Sequence, residues 1–397
     1  MFRAYLRRAV RTRARAREFC RTAGVAFVAL SNLVLSAGCH SANGADGGRM
    51  TLDREIFVPQ FSGTPRAVVA RSDGGVWVAG GGGSALAMAL GPGGNPIWHF
   101  EEPLDPDVKG LNQSIYNGAV ALENGNLLLC GEIQIKRPTL GLITILDRAG
   151  KVVDERHLIA NNASEFFYTT FQRCLPWNGG VLLVADATNR TGTLTWLVTL
   201  DRAGAQTSQH LLRDVSGNDV VTGANGDLIF AESAGQQTLL TRVNRQLDVV
   251  ARRTIESSVF GLTRLGASAA ETKLIAYASG GQKATIYTLG EHLEDAKPPR
   301  FLDHPISVEK GRAYVLADGA LALFGYVYRG GPFTAAMART DSTDSTDSIH
   351  IFTPELRSFT VADAQSLGAG RFVAVRDRAG QPGAEESGVV IFWVTMR

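Results

Sequence analysis

The chain has 397 residues, 45% hydrophobic and 20% charged, with 40 Lys+Arg against 38 Asp+Glu and a formal net charge of +2. That composition excludes a disordered chain and a collagen-like one, and four cysteines are too few for a disulfide-rich scaffold. The length predicts roughly two or three domains, unless a closed β architecture carries it as one body.

Taken in chain order, the first feature is a basic leader. Arg3, Arg7, Arg8, Arg11, Arg13, Arg15, Arg17 and Arg21 all precede residue 22, with Glu18 the only acid among them. The apolar run from Ala23 to Ala37 is too short to span a bilayer comfortably, so the segment reads as a secretory signal. Its end, Leu35-Ser36-Ala37-Gly38-Cys39, resembles the lipobox of bacterial lipoproteins. The resemblance implies a signal peptide over residues 1–38 and lipidation of the Cys39 thiol. His40, not aspartate, follows the cysteine, which in that family implies an outer-membrane destination facing the periplasm or the surface. Residues 39–50, rich in Gly, Ala, Ser and Asn, read as a flexible tether. Without residues 1–38 the chain holds 32 basic and 37 acidic residues, a net charge of −5. The basic balance therefore belongs to the leader. No Lys/Arg run interleaved with aromatics remains to bind nucleic acid, and no later stretch is long and apolar enough for a transmembrane helix.

From residue 51 a unit recurs: an alternating apolar run, a Gly-containing turn, a second run, a loop, a third run, a polar turn and a fourth short run. Its clearest copy is Ala119 to Cys130 around Asn124-Gly125, continuing through Gly141 to Leu146 and the turn Asp147-Arg148-Ala149-Gly150. Asn-Gly between two apolar runs predicts a tight hairpin with both central residues at positive φ. Asp-x-x-Gly suits a type I turn closed by a left-handed glycine. Anchors at Gly74, Gly125, Gly179, Gly226, Thr272, Gly319 and Gly370 give spacings of 51, 54, 47, 46, 47 and 51 residues. Copies near 50 residues with four short strands each predict an all-β chain, one seven-bladed β-propeller of four-stranded blades over residues 51–397. The last copy stops after three strands, while an orphan segment, Arg54 to Phe61, stands before the first. Pairing of residues 54–61 with residues 389–395 would complete the last blade and leave no strand unpaired. The array resembles bacterial extracytoplasmic propeller repeats of the broad quinoprotein-like kind.

The motifs that usually carry chemistry read mostly as structure. Gly80 to Gly83 lies between two strands with no Lys-Ser/Thr behind it, so it is a connection between strands, not a phosphate cradle. None of the seven histidines stands three or four residues from another, and His99, His157 and His210 fall in predicted outer strands. No metal site and no cofactor is expected. Asp341 to Ser348 lacks the glycine and the terminal acid of a calcium loop. Cys130 and Cys174 fall in neighbouring copies, and in an oxidising compartment they are candidates for a disulfide; the alternative is two buried small hydrophobes.

Ligands of propellers meet the loops that enter inner strands and those that join second to third strands. The candidate partner-binding residues there are Tyr116, Lys136, Arg137, Phe166, Phe167, Tyr168, Tyr326, Tyr328, Arg329 and Arg376, aromatic and cationic anchors on loops. The expected function is a non-catalytic, monomeric envelope lipoprotein that binds a protein or glycan, as an assembly scaffold or as an immunity-type inhibitor of an envelope-targeting effector. The alternative is an extracytoplasmic hydrolase or lyase whose titratable groups converge in the central channel.

Overall fold

The computed structural model describes residues 50–103, 112–135, 138–160, 165–213, 215, 219–223, 225–234, 237–256, 262–267, 274–280, 283–290, 292–303, 307–327, 334–340, 348–351, 361–378 and 388–396. Cys39, Lys136, Arg137, Tyr328, Arg329, the anchor Thr272 and residues 341–347 lie outside them. The described chain forms twenty-eight β-strands and no helix.

After β1 (Met50–Val58), the strands follow one another as antiparallel meanders. The first holds β2 (Thr64–Ala70), β3 (Val76–Gly81), β4 (Ala85–Leu90) and β5 (Pro96–Glu101). The next is β6 (Asn112–Ala121), β7 (Leu127–Ile135), β8 (Thr139–Leu146) and β9 (Val152–Leu158). It is followed by β10 (Phe166–Trp177), β11 (Gly180–Asn189), β12 (Gly192–Leu200) and β13 (Gln206–Leu212). Then come β14 (Asp219–Thr222), β15 (Leu228–Ala234), β16 (Gln237–Val243) and β17 (Val249–Glu256), and β18 (Leu262–Ala267), β19 (Leu274–Gly280), β20 (Lys283–Leu289) and β21 (Asp295–Asp303). The chain ends with β22 (Ser307–Val315), β23 (Leu321–Val327), β24 (Thr334–Thr340) and β25 (Ser348–Ile351), then β26 (Val361–Gly368), β27 (Arg371–Arg378) and β28 (Gly388–Met396). Hydrogen bonds divide these strands into five sheets, three of four strands and two of eight. Each larger sheet arises where a first strand makes a short parallel bridge to a neighbouring meander, Tyr168 to Thr139 in one and Gly266-Ala267 to Ala313-Tyr314 in the other.

Position within a meander dictates composition. The middle strands β3 and β4 are buried along their whole length, because a further sheet covers each face. The fourth strands β5 and β9 alternate exposed and half-buried residues along a free edge. Between successive meanders the facing side chains form one hydrophobic cluster after another. Phe171 stacks on Trp196 at 5.7 Å in the cluster shared by β6–β8 and β10–β12. A Cβ on Gly141 would stand 2.6 Å from the Phe171 ring, so only glycine leaves it room.

The turns confirm the repeat and refine its chemistry. All six glycine anchors have φ between 70° and 84°. Only two of these turns have the expected pair of left-handed residues, Asn178-Gly179 and Ala369-Gly370. At Gly125 the loop is one type I turn closed by a single left-handed glycine, with Gly125 N–H donating to Leu122 O and Leu122 N–H to Asn126 O. In the polar turns, Asp147 and Asp201 each accept two backbone N–H groups at Oδ1. The arginine of the same motif reaches back to the first turn of its own meander, Arg148 to Asn124 O, Arg202 to Gly179 O and Arg245 to Asn225 O. Leu247 and Leu293 occupy the left-handed position in two such turns, and burial of both side chains offsets a cost of about 1 kcal/mol.

The two ends of the array join as the repeat pattern predicts. β1 pairs antiparallel with β28 from Met50 opposite Met396 to Val58 opposite Val389. The strand begins four residues earlier than the orphan segment and stops at Val58, so Phe61 lies beyond it. Phe61 is fully buried in a cluster with Val58 of β1, Val68, Val78 and Met88 of the first meander, and Val373 and Ile391 of the last. First and last meanders therefore share one core, and the array closes on itself.

Candidate functional site

The first strands of the meanders carry a recurrent irregularity. Register slips between Pro65 and Ala67, Tyr116 and Gly118, Phe171 and Arg173, and Val361 and Asp363 mark a β-bulge at matching places in β2, β6, β10 and β26. A bulge re-aims the side chains beside it, and here they bond across to the following repeat. Asn117 donates to Phe171 O at 3.1 Å, and at a wider slip between Val308 and Ala313 in β22 Arg312 Nε donates to Ala362 O at 3.2 Å.

Charged residues from four inner strands come together nearby. Arg173 of β10 pairs with Asp219 of β14 at 3.3 Å, and Arg312 of β22 with Asp363 of β26 at 2.5 Å. Asp363 Oδ2 also accepts Val68 N–H of β2 at 2.7 Å, and the Tyr314 hydroxyl donates to Ala364 O. Burial raises the Asp363 carboxyl, with Arg312 opposing, and raises the Tyr314 hydroxyl to about 12. Burial and the Arg312 charge lower the Arg173 guanidinium. Each aspartate here is matched to an arginine and bonded to backbone, so the cluster ties inner strands together. Sequence reasoning missed these residues, because Arg173, Asp219, Arg312 and Asp363 lie in four different repeats and nothing in their local sequence marks them as partners.

The predicted partner-binding residues separate into interior and surface. Tyr116 is fully buried; its hydroxyl lies 2.9 Å from Glu102 Oε2 and 2.8 Å from Thr144 Oγ1. Phe166 is buried in the core. Arg376 lies within β27, not in the loop after it, and its buried side chain pairs with Glu55 of β1 at 3.0 Å, which fastens the closing strand. Tyr168 is half-buried, its hydroxyl donating to Glu132 Oε2 at 2.9 Å, and Tyr326 is half-buried on β23. Phe167 is 51% exposed. Among the described residues, the further exposed large apolar ones are Ile97, Val152, Val153, Val249 and Val250. These lie at the starts of β5, β9 and β17, the free edges of their meanders.

Cys130 of β7 and Cys174 of β10 are both buried, as thiols. Their sulfurs come together at Gly118, where an added Cβ would stand 3.0 Å from each. Burial raises the Cys130 thiol well above its ordinary value, and contact with Cys174 raises it further.

A second polar cluster lies between the first two meanders. Glu102, just after β5, is 2% exposed and faces Glu155 and His157 on β9. Burial pushes the Glu102 carboxyl up to about 7; the Tyr116 hydroxyl opposes the shift and Glu155 adds to it. His157 Nε2 lies 3.1 Å from Glu155 Oε1.

No protein-family model matches the sequence, and no curated protein matches it. Among solved structures, the WD40 β-propeller domain of Doa1 aligns with a TM-score of 0.52 at 13% identity, covering 88% of this chain and 97% of that one. The Dos1 propeller aligns with a TM-score of 0.52 at 9% identity, covering 87% of this chain and 95% of that one. At such identities the likeness carries the fold alone: this chain is an all-β protein with a β-propeller fold.

Proposed function

We propose that the protein is a non-catalytic envelope lipoprotein, anchored by lipid at Cys39, whose propeller binds a protein partner. The seven-bladed count belongs to the same reading: twenty-eight strands make seven meanders of four, with β1 completing the last and two short parallel bridges merging neighbours into the larger sheets. The observation that carries the binding role is the set of exposed valines and isoleucine on free edge strands, Ile97, Val152, Val153, Val249 and Val250. An edge strand with apolar side chains toward water is a template for association unless something covers it. The pairing of Arg173, Asp219, Arg312 and Asp363 with one another supports a holding role at the inner strands over a channel enzyme.

Crosslinking in intact cells followed by purification of the full chain tests this. The parent is expected to carry a defined partner that the double variant Val152→Asp, Val153→Asp loses while remaining folded. Retention of the same partner by that variant and by Val249→Asp, Val250→Asp would overturn the edge-strand reading. A Cys39→Ala chain is expected to leave the membrane fraction; membrane attachment unchanged by that substitution would overturn the lipid anchor.

A further inference from the structure

The cluster between the first two meanders has the makings of a metal site. Glu155 and His157 stand two apart on β9, an edge strand, and alternate strand positions share one face. Glu102 approaches that face from the preceding meander. One ligand atom from each of Glu102, Glu155 and His157 lies within 4.8 Å of the others. A tetrahedral ion bound at about 2.0–2.2 Å holds its ligands roughly 3.4 Å apart, a spacing that small side-chain rotations reach from here. The Tyr116 hydroxyl and Thr144, both buried, support the Glu102 carboxyl from behind, the kind of outer partner that orients a ligand. Among the described residues, neither Glu102 nor Glu155 pairs with a lysine or arginine, so two carboxylates meet with a single imidazole to balance them.

We propose that Glu102, Glu155 and His157 bind a divalent transition-metal ion of the zinc class, which bridges the first two blades at their outer edge. One imidazole and two carboxylates suit zinc, cobalt or manganese, and three protein ligands leave a coordination position for water or for a partner's side chain. The histidine rule applied to the sequence looks for helical spacing. A two-residue spacing on a strand escapes it, and the third ligand comes from another repeat.

Titration of the full chain with Co2+, followed by visible absorption, tests the site. Saturable d–d bands without thiolate charge transfer are expected, tightening from pH 6 to pH 8 as protons stop competing for the ligands, together with a saturable rise in Tm with Zn2+. Glu155→Gln and His157→Ala, both on an exposed edge strand, are expected to keep the metal-free Tm and to lose the bands at cobalt concentrations that saturate the parent. Glu102→Gln is expected to lose them too while keeping its hydrogen bond from Tyr116. Absence of saturable bands in the parent, or bands that survive Glu155→Gln and His157→Ala, would overturn the proposal.

Discussion

Phe61→Ala probes the join between the first and last meanders. The ring is fully buried among Val58, Val68, Val78, Met88, Val373 and Ile391, so it touches β1, the first meander and the last at once. A buried phenylalanine removes on the order of 150–200 Å² from water, worth about 4–5 kcal/mol at ~25 cal/mol/Å². Alanine keeps a small part of that, and the cavity it leaves adds to the loss, so about 3–5 kcal/mol is expected. Urea unfolding of the full chain should show a lower midpoint with an unchanged slope. Phe167→Ala, at 51% exposure, supplies the comparison and should stay within about 0.5 kcal/mol of the parent. A loss below about 1 kcal/mol for Phe61→Ala, or one equal to that of Phe167→Ala, would refute a core shared across the join.

In chelator, the Glu102 carboxyl takes its proton at about 7 in the folded chain, against an ordinary 4.5. Its contribution to stability is therefore complete below about pH 4.5 and lost as pH rises through about 7. Between pH 5 and pH 8 the parent should lose up to about 3 kcal/mol relative to Glu102→Gln, and parallel stability profiles would refute the shift. Cys130 and Cys174 should form a disulfide in cells by exchange with a disulfide-bearing oxidant, which takes up the two hydrogens of the thiols. Denaturing, non-reducing titration of protein from the envelope should then find neither thiol free, and two free thiols would refute it. Gly118→Ala places a methyl 3.0 Å from both sulfurs and from Cys174 N, and should cost about 1–3 kcal/mol in thermal or urea unfolding; a neutral result would mean that the strands give way there.

The part of the fold written along the chain is periodic. Turn anchors recur every 46 to 54 residues, six of the seven being glycine, and each glycine anchor has positive φ because a left-handed position recurs there. The missing last strand and the orphan first one are countable in the sequence, so the β1 to β28 closure is legible there. Cys130 and Cys174 were legible as neighbours for the same reason, since their strands belong to adjacent copies. Side-chain direction was not legible. Tyr116 and Arg376 read as loop anchors, yet a bulge in β6 and the extension of β27 to Arg378 turn both inward. The inner ion pairs join residues 46 and 51 positions apart, and Glu102 meets His157 across 55. Such contacts depend on how one repeat is rotated against the next. That rotation is decided by core packing between meanders, where local propensity has no say, so only the tertiary structure brought these groups together.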